Sequence, residues 1–410
     1  MNLGFLVKDF RISSRKFTAA TVLNSATLAW FFLLILYLPQ APFGGYISQL
    51  VFVCSTIFWS VIGSFFSLRL SRRTLLISSI FLGTISTIMI AFAQETIFEF
   101  VCLLLGASLG LGLPSSMALA ADYTVVEERG RVSGTIILAT FIIAFVSIAI
   151  IWIFSLAAVG IALLLAVLRS SSFLALAIDK CERLVPSVKK KIRLPVTANR
   201  EFLFYIFPWV MFSIASSLAW NVIPPQTYAA ELVPLTILRY VFIALFGLAA
   251  GVIADRFGRK YIIIIGLIVL GVAFALLGFS LSNTGVIWIH RLWYVYLALS
   301  GVTWGSFFVV FLTVPGDLSD LDSREKFYAL VVGIFSVGAI PVPDFSGVLP
   351  VNSLSQILSI ILFLSIVPVL RSKETLHESK IQKRRMKEHM EKIVKIIKQT
   401  EDTDHDKEKS

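Results

Sequence analysis

The chain has 410 residues, 57% of them hydrophobic and 15% charged, with a mean hydropathy of +0.86, and a globule in water could not hide that much apolar surface. A formal net charge of +11 could suggest a nucleic-acid partner, yet the basic residues sit in short loops between apolar runs, where membrane orientation accounts for them. Composition therefore excludes an ordinary soluble domain and makes lipid the solvent.

Apolar runs of about 18 to 27 residues recur from residue 17 to residue 370, each long enough to cross a hydrocarbon layer of roughly 30 Å as a helix. They are apolar on every face, whereas barrel strands would alternate, so helices are predicted. The basic start, with Lys8, Arg11, Arg15 and Lys16, resembles a signal-peptide n-region. The stretch after it is too long and lacks a small-residue cleavage site, which makes it a retained first span.

In chain order the spans are expected at 17–38, 45–68, 74–93, 96–122, 133–153, 155–168, 201–223, 232–253, 260–281, 287–313, 327–347 and 350–370. No strong turn divides the fifth from the short sixth, so one long helix or a re-entrant segment is the alternative there. The predicted fold is an all-α integral membrane protein with about twelve transmembrane helices in two six-helix bundles, 1–168 and 201–370. A basic linker at 169–200 joins them, and a charged tail follows at 371–410. Met386, Met390, Ile393 and Ile397 recur at helical spacing in that tail, predicting a surface helix near 380–398. Cys54, Cys102 and Cys181 have no metal or disulfide spacing, and the first two are expected in the core.

This layout puts every lysine and arginine on one side except Arg239 and Arg291. By the excess of basic residues in cytoplasmic loops, both termini face the cytoplasm.

The halves repeat. After the second span stands Arg69-Leu70-Ser71-Arg72-Arg73, and after the eighth stands Gly251-Val252-Ile253-Ala254-Asp255-Arg256-Phe257-Gly258-Arg259-Lys260. After the fourth span Glu127-Glu128-Arg129-Gly130-Arg131 is matched by Asp322-Ser323-Arg324-Glu325-Lys326 after the tenth. Tandem halves of this kind imply a pseudo-two-fold axis along the membrane normal.

The segment Gly251 to Lys260 resembles the G-x-x-x-D-R-x-G-R-K loop of the major facilitator superfamily. The twelve spans, the basic central loop and the E-R-G-R motif at 128–131 are similar to that family along most of the chain. The first-half copy lacks the acidic residue and the second glycine. The resemblance implies a secondary transporter working by rocker-switch alternating access. Its gating set here is Gly251, Asp255, Arg256, Gly258, Arg259 and Lys260, with Arg69, Arg72, Arg73, Glu128, Arg129 and Arg131 from the first half. It also implies that spans one, four, seven and ten line a central cavity. The substrate-binding candidates are then Asn24, Trp30, Glu99, Trp209, Asn221 and Trp304, joined by Arg239, a cation inside the eighth span.

A lone arginine in an apolar run costs a few kcal/mol, so Arg239 should meet water, a carboxylate or a substrate. Glu99 and Asp344 are candidate partners, and snorkelling to the outer interface is the alternative. The fourth span lacks the arginine of proton-coupled drug exporters, and the sugar-porter pattern after span six is missing. No titratable residue stands at mid-span, so a coupling ion would have to use Glu99, Asp122 or Asp344 near the ends. No catalytic, metal-binding or cofactor motif is present, and the four histidines lie in a loop or the tail. The expected partners are a small solute and the bilayer, with no nucleic acid. The chain is expected to be a multi-pass monomer of the cell membrane. A transporter-like sensor or scaffold is the alternative, and an intramembrane enzyme is less favoured.

Overall fold

The computed structural model describes residues 11–67, 69–180, 200–222, 232–282, 288–340 and 350–376. Within these, helix is the only extended regular structure, as a chain in lipid requires, because its backbone polar groups can be satisfied inside each segment. The first half contains α1 (Ser14–Tyr37), α2 (Tyr46–Phe66), α3 (Arg72–Ile90), α4 (Glu95–Tyr123), α5 (Arg129–Ile153) and α6, which runs as Ala158–Ser170 and resumes as Phe173–Ile178. The second half contains α7 (Arg200–Val222), α8 (Leu232–Phe257), α9 (Arg259–Ser282), α10 (Trp288–Leu318), α11 (Arg324–Val337) and α12, which runs as Val351–Leu364 and Ile366–Arg371.

Among the described residues eleven spans are long and apolar enough to cross a membrane. The remaining helix, α11, has its far end next to 341–349, outside the described residues. The other helix bounds, α6 apart, match the sequence expectation to within roughly a turn or so. The expected tail helix near 380–398 also lies outside the described residues.

The two halves meet chiefly along two helix pairs, α5 with α8 and α2 with α11, with smaller contacts of α10 on α5 and of α10 and α11 on α4. The first pair is a glycine seam. A Cβ on Gly251 would lie 2.4 Å from the carbonyl oxygen of Gly130, and one on Gly134 would lie 2.9 Å from that of Gly247. Only side-chain-free positions allow backbones this close. The second pair is held by hydroxyl and amide donors, with Ser60 Oγ donating to the Ala329 carbonyl and Gln49 Nε2 to that of Ala339, both at 3.2 Å. Between the pairs an aromatic cluster from both halves fills the centre. Phe32 lies 5.0 Å from Phe141 and 5.3 Å from Phe308, and Phe31 lies 5.2 Å from Phe335, between ring centroids. Large apolar side chains such as Phe58, Phe81, Trp152 and Phe279 point outward, which suits a lipid-facing surface.

Two expectations are corrected. Cys102 is buried, but Cys54 is exposed on α2, because apolar character in a membrane helix suits lipid as well as core. The sixth span runs from Ala158 to Ile178, 21 residues, so Arg169 belongs to the bilayer-crossing part of α6 and not to a linker. The sequence reading ended the span at the first arginine, since a cation normally marks a loop. Here the guanidinium turns inward and is 1% exposed. Its Nη1 donates to Thr27 Oγ1 at 2.8 Å and its Nη2 to Ser108 Oγ at 3.3 Å, while its centre lies 4.8 Å from the Trp30 ring. The Nε has no partner, and no carboxylate is bonded to this arginine among the described residues. The remaining linker, 181–199, lies outside the described residues.

Hydroxyls and a ring compensate a buried cation incompletely, whereas an apolar chain of similar size removes the desolvation cost. Arg169→Met should therefore keep the apparent Tm of the purified protein at or above that of the unaltered chain. Arg169→Ala, which opens a cavity worth roughly 2–4 kcal/mol, should lower it in the same thermal-unfolding measurement.

Candidate functional site

At the end of the molecule where the described chain begins at Arg11 and ends at Leu376, the termini side, charged side chains lock the halves together. The Asp255 carboxylate, one turn from the end of α8, reaches the first turn of α5. Its two oxygens accept the Gly130 and Arg131 backbone N–H groups at 2.8 Å each. An acceptor here satisfies orphan donors and meets the positive end of the helix dipole. Gly130 makes room, since a Cβ there would lie 2.5 Å from Asp255 Oδ1. Arg131 Nε stands 3.4 Å from the same carboxylate, and Arg259 Nη1 donates to it at 2.8 Å.

Arg259 then spreads the lock. Its Nη2 donates to the Val126 carbonyl of the first half at 2.7 Å and its Nε to Asp317 Oδ2 at 3.2 Å. Asp317, at the end of α10, also pairs with Arg129 of the first half. Gly258 has φ of 108°, a conformation suited to glycine. That turn exposes the start of α9, whose Arg259 and Lys260 N–H groups donate to Glu374 at 2.8 and 3.0 Å. Lys260 Nζ donates to the Leu370 and Ser372 carbonyls at 2.6 and 3.0 Å, tying the last helix to this corner.

The first-half copy forms a second lock. Arg72, at the start of α3, donates through Nη1 to Asp122 Oδ2 and through Nη2 to Glu325 Oε1, each at 2.6 Å. Arg324 of α11 pairs with Asp122 from the other side. The first-half loop lacks an acid to match Asp255, and the pairing is supplied from across the interface by Glu325. Arg129 and Arg324 are equivalent in the repeat, so Glu325 stands where the first half has Gly130. One half keeps a glycine there and receives a carboxylate, and the other carries the carboxylate itself. None of the side chains in these ion pairs is more than 11% exposed.

Not every gating candidate joins the locks. Arg69 is exposed and Arg73 half-buried, and neither forms an ion pair among the described residues. Arg256 is half-buried. Glu128 binds backbone, accepting from the Arg11 N–H at 2.6 Å and the Val125 N–H at 3.3 Å. Asp122, Asp317, Arg324, Glu325 and Glu374 were absent from the sequence-based gating set. A signal existed for the first three, since Asp122 and Asp317 each stand seven residues before an arginine of the repeat, Arg129 and Arg324.

Beyond the locks, towards the far side, a cavity of about 100 Å³ lies between the halves. It is walled by Phe31, Phe32, Phe141, Trp304, Phe308 and Phe335, with Thr236, Arg239 and Tyr240 bringing polar atoms from α8. Of the seven substrate candidates, Arg239 and Trp304 meet here, the guanidinium centre 5.5 Å from the ring centroid.

Asn24, Trp30, Glu99 and Trp209 do not line it. Asn24 Nδ2 donates to the Ala20 and Ser116 carbonyls at 2.9 and 3.0 Å, joining α1 to α4. Trp30 Nε1 donates to Thr87 Oγ1 at 3.1 Å while its face receives Arg169. Trp209 is buried against Phe202 and Phe311. Glu99 is exposed on α4 and is no partner for Arg239, because its position faces outward from the bundle. The side chain of Asn221 and the whole of Asp344 lie outside the described residues. Helix number alone placed these side chains, and the direction each faces decides the matter.

The sequence pattern of the Major Facilitator Superfamily matches residues 194–400, just over half of the 410-residue chain. No curated protein matches the sequence significantly. Solved structures do match in fold. The human organic anion transporter MFSD10 is 13% identical with a TM-score of 0.63, over 87% of this chain and 99% of that one. The fucose:proton symporter of E. coli is 14% identical with a TM-score of 0.64, over 87% and 98%. A bacterial homologue of the iron transporter ferroportin, in an outward-facing state, is 14% identical with a TM-score of 0.65, over 88% and 99%.

The swapped lock makes a stability prediction. Removing one partner of a buried ion pair strands the other charge, at a cost of about 3–5 kcal/mol, whereas removing both costs far less. Glu325→Gln should lower the apparent Tm, and adding Arg72→Gln to it should restore part of the loss. The check is a double-mutant cycle by thermal unfolding, with a coupling energy of about 1–3 kcal/mol expected.

Proposed function

This chain belongs to the major facilitator superfamily, and from that membership we propose that it carries a small solute through the cavity beside Arg239 and Trp304, with the two charge locks as its gate. It is a multi-pass membrane protein and a secondary transporter. The proposal adds where the solute sits, which contacts must break, and that the termini side faces the cytoplasm of a cell membrane. The abundance of lysine and arginine in the loops on that side supports the orientation.

The observation that carries the reading is the asymmetry between the two ends. On the termini side the halves are bridged by buried ion pairs, by Asp255 on the α5 N-terminus and by the Gly130–Gly251 contact at 2.4 Å from a notional Cβ. Past the locks no ion pair joins the halves among the described residues, and they meet around the cavity through apolar rings and the Gln49–Ala339 hydrogen bond. This is the shape expected of a state shut to the termini side, with rocking of the halves exchanging the opening. Gate and cavity are both complete within one chain, which supports a monomeric unit.

Buried ion pairs suit this task energetically. The attraction within each lock is offset by the cost of taking the same charges out of water, so the net bias towards closure is small. A gate must be shut by only a few kcal/mol if a solute is to redistribute its states. A purely apolar seam would lack this balance, because opening it would expose surface with no compensating hydration.

The test places one cysteine at Leu36, on the cavity wall, in an otherwise cysteine-free chain, and labels it with a membrane-impermeant maleimide from each side. In the unaltered gate, labelling from the termini side should be slow. Asp255→Asn with Glu325→Gln should raise that rate severalfold. An unchanged rate would sink the gate, and it is the result expected of a rigid scaffold.

A further inference from the structure

We propose that the solute is an amphipathic organic anion, a small molecule with one carboxylate or similar oxyanion on an apolar body. Arg239 would bind the anionic group and the aromatic wall would bind the body. The inference rests on the transporter reading above and gives its site a chemical class.

Arg239 lies two turns into α8 and borders both the larger cavity and a smaller one of about 10 Å³ behind it. Among the described residues no aspartate or glutamate lines either cavity. Its Nε is buried without a hydrogen-bond partner, and its described charge compensation is the Trp304 ring at 5.5 Å. A guanidinium left unpaired inside a membrane protein is costly, and an incoming oxyanion removes that cost with two parallel N–H donors in a planar fork. Ser216, on the smaller cavity, also has a buried hydroxyl without a partner, a second polar group unsatisfied on the same side of Arg239.

The wall specifies the remainder of the ligand. Phe31, Phe32, Phe141, Phe308 and Phe335 face the larger cavity, and its volume of about 100 Å³ is on the scale of one ring or a short branched chain. A sugar needs a hydrogen-bond partner for most of its hydroxyls, and among the described lining residues only Thr236, Arg239, Tyr240 and Trp304 offer side-chain polar atoms there. A cationic solute would meet the arginine as a like charge. Arg169 differs from Arg239 in that two hydroxyls hold it and neither cavity touches it, so it takes no ligand.

The experiment follows thermal unfolding and tryptophan fluorescence of the full purified chain in detergent. The probes are phenylacetate, benzoate and isovalerate, each beside its neutral amide, with phenethylamine and laurate as further arms. A ligand that binds the folded state raises its apparent stability by mass action. The carboxylates should stabilise the unaltered chain while the amides and the amine do not. Arg239→Gln should weaken the carboxylate response by about tenfold or more, and Arg239→Lys, which keeps the charge without the fork, should retain part of it. If Arg239→Gln fails to fold, the split between Arg239→Lys and the unaltered chain carries the test.

Equal responses to acid and amide, or an undiminished response in Arg239→Gln, would overturn the anion site. A response to laurate alone would assign the site to a lipid and overturn the small-solute class. Silence from every carboxylate, with Leu36 labelling still switching on gate mutation, would overturn the substrate class and leave the transporter standing. Silence with no switching would strike the transporter reading itself.

Discussion

Asp255 belongs to one half of the molecule and completes a helix of the other. Its carboxylate receives the Gly130 and Arg131 N–H groups, so the N-terminus of α5 is satisfied only while the halves are together on this side. Around that contact the glycine seam permits backbone approach, and Arg259 relays the charge to Asp317 and Val126. When the halves part, the α5 donors and the carboxylate must be taken up by water. The interaction is therefore a bond between domains and a helix cap at once, and breaking it costs little only because water can replace both partners.

The second lock shows how a repeat can drift and keep its physics. The position four residues before Arg72 is Leu68, where the other half has Asp255 before Arg259. The lost carboxylate reappears as Glu325 on the facing helix, at the place occupied by Gly130 in the mate. Each site thus has one side chain reaching across the interface. If both members of a site were acidic they would repel, and if both were glycine and leucine the arginine would lack half of its partners. The arginine keeps a carboxylate partner in both halves, supplied in one by Asp255 near the end of α8 in the same half and in the other by Glu325 of α11 from across the interface.

Much of the fold was legible because membrane helices announce themselves by length and apolarity, and because basic loops report sidedness. The motif from Gly251 to Lys260 was legible through its resemblance to the major facilitator loop, and the structure gives that pattern a turn at Gly258 and an acid, Asp255, that bonds across the interface. Arg169 was misread because the same rule that finds loops treats every cation as a boundary, and sequence does not show Thr27, Ser108 and Trp30 waiting around it. Trp30, Trp209 and Asn24 were assigned to the cavity by helix number, yet the side chains of all three are turned into helix packing. Arg239 and Trp304 could be singled out, but their meeting on one wall depends on how α8 packs against α10, where Gly247 and Gly305 allow close contact.

The most direct measurement of the proposed gate is the distance between spin labels at Val125 and Phe257, one on each half and both exposed on the termini side, by double electron–electron resonance. The account predicts a single short distribution for the unaltered chain, with a second, longer population on Asp255→Asn that grows when Glu325→Gln is added. One unchanged distribution in all three proteins would contradict it, because the halves would then be held together by something other than these charges.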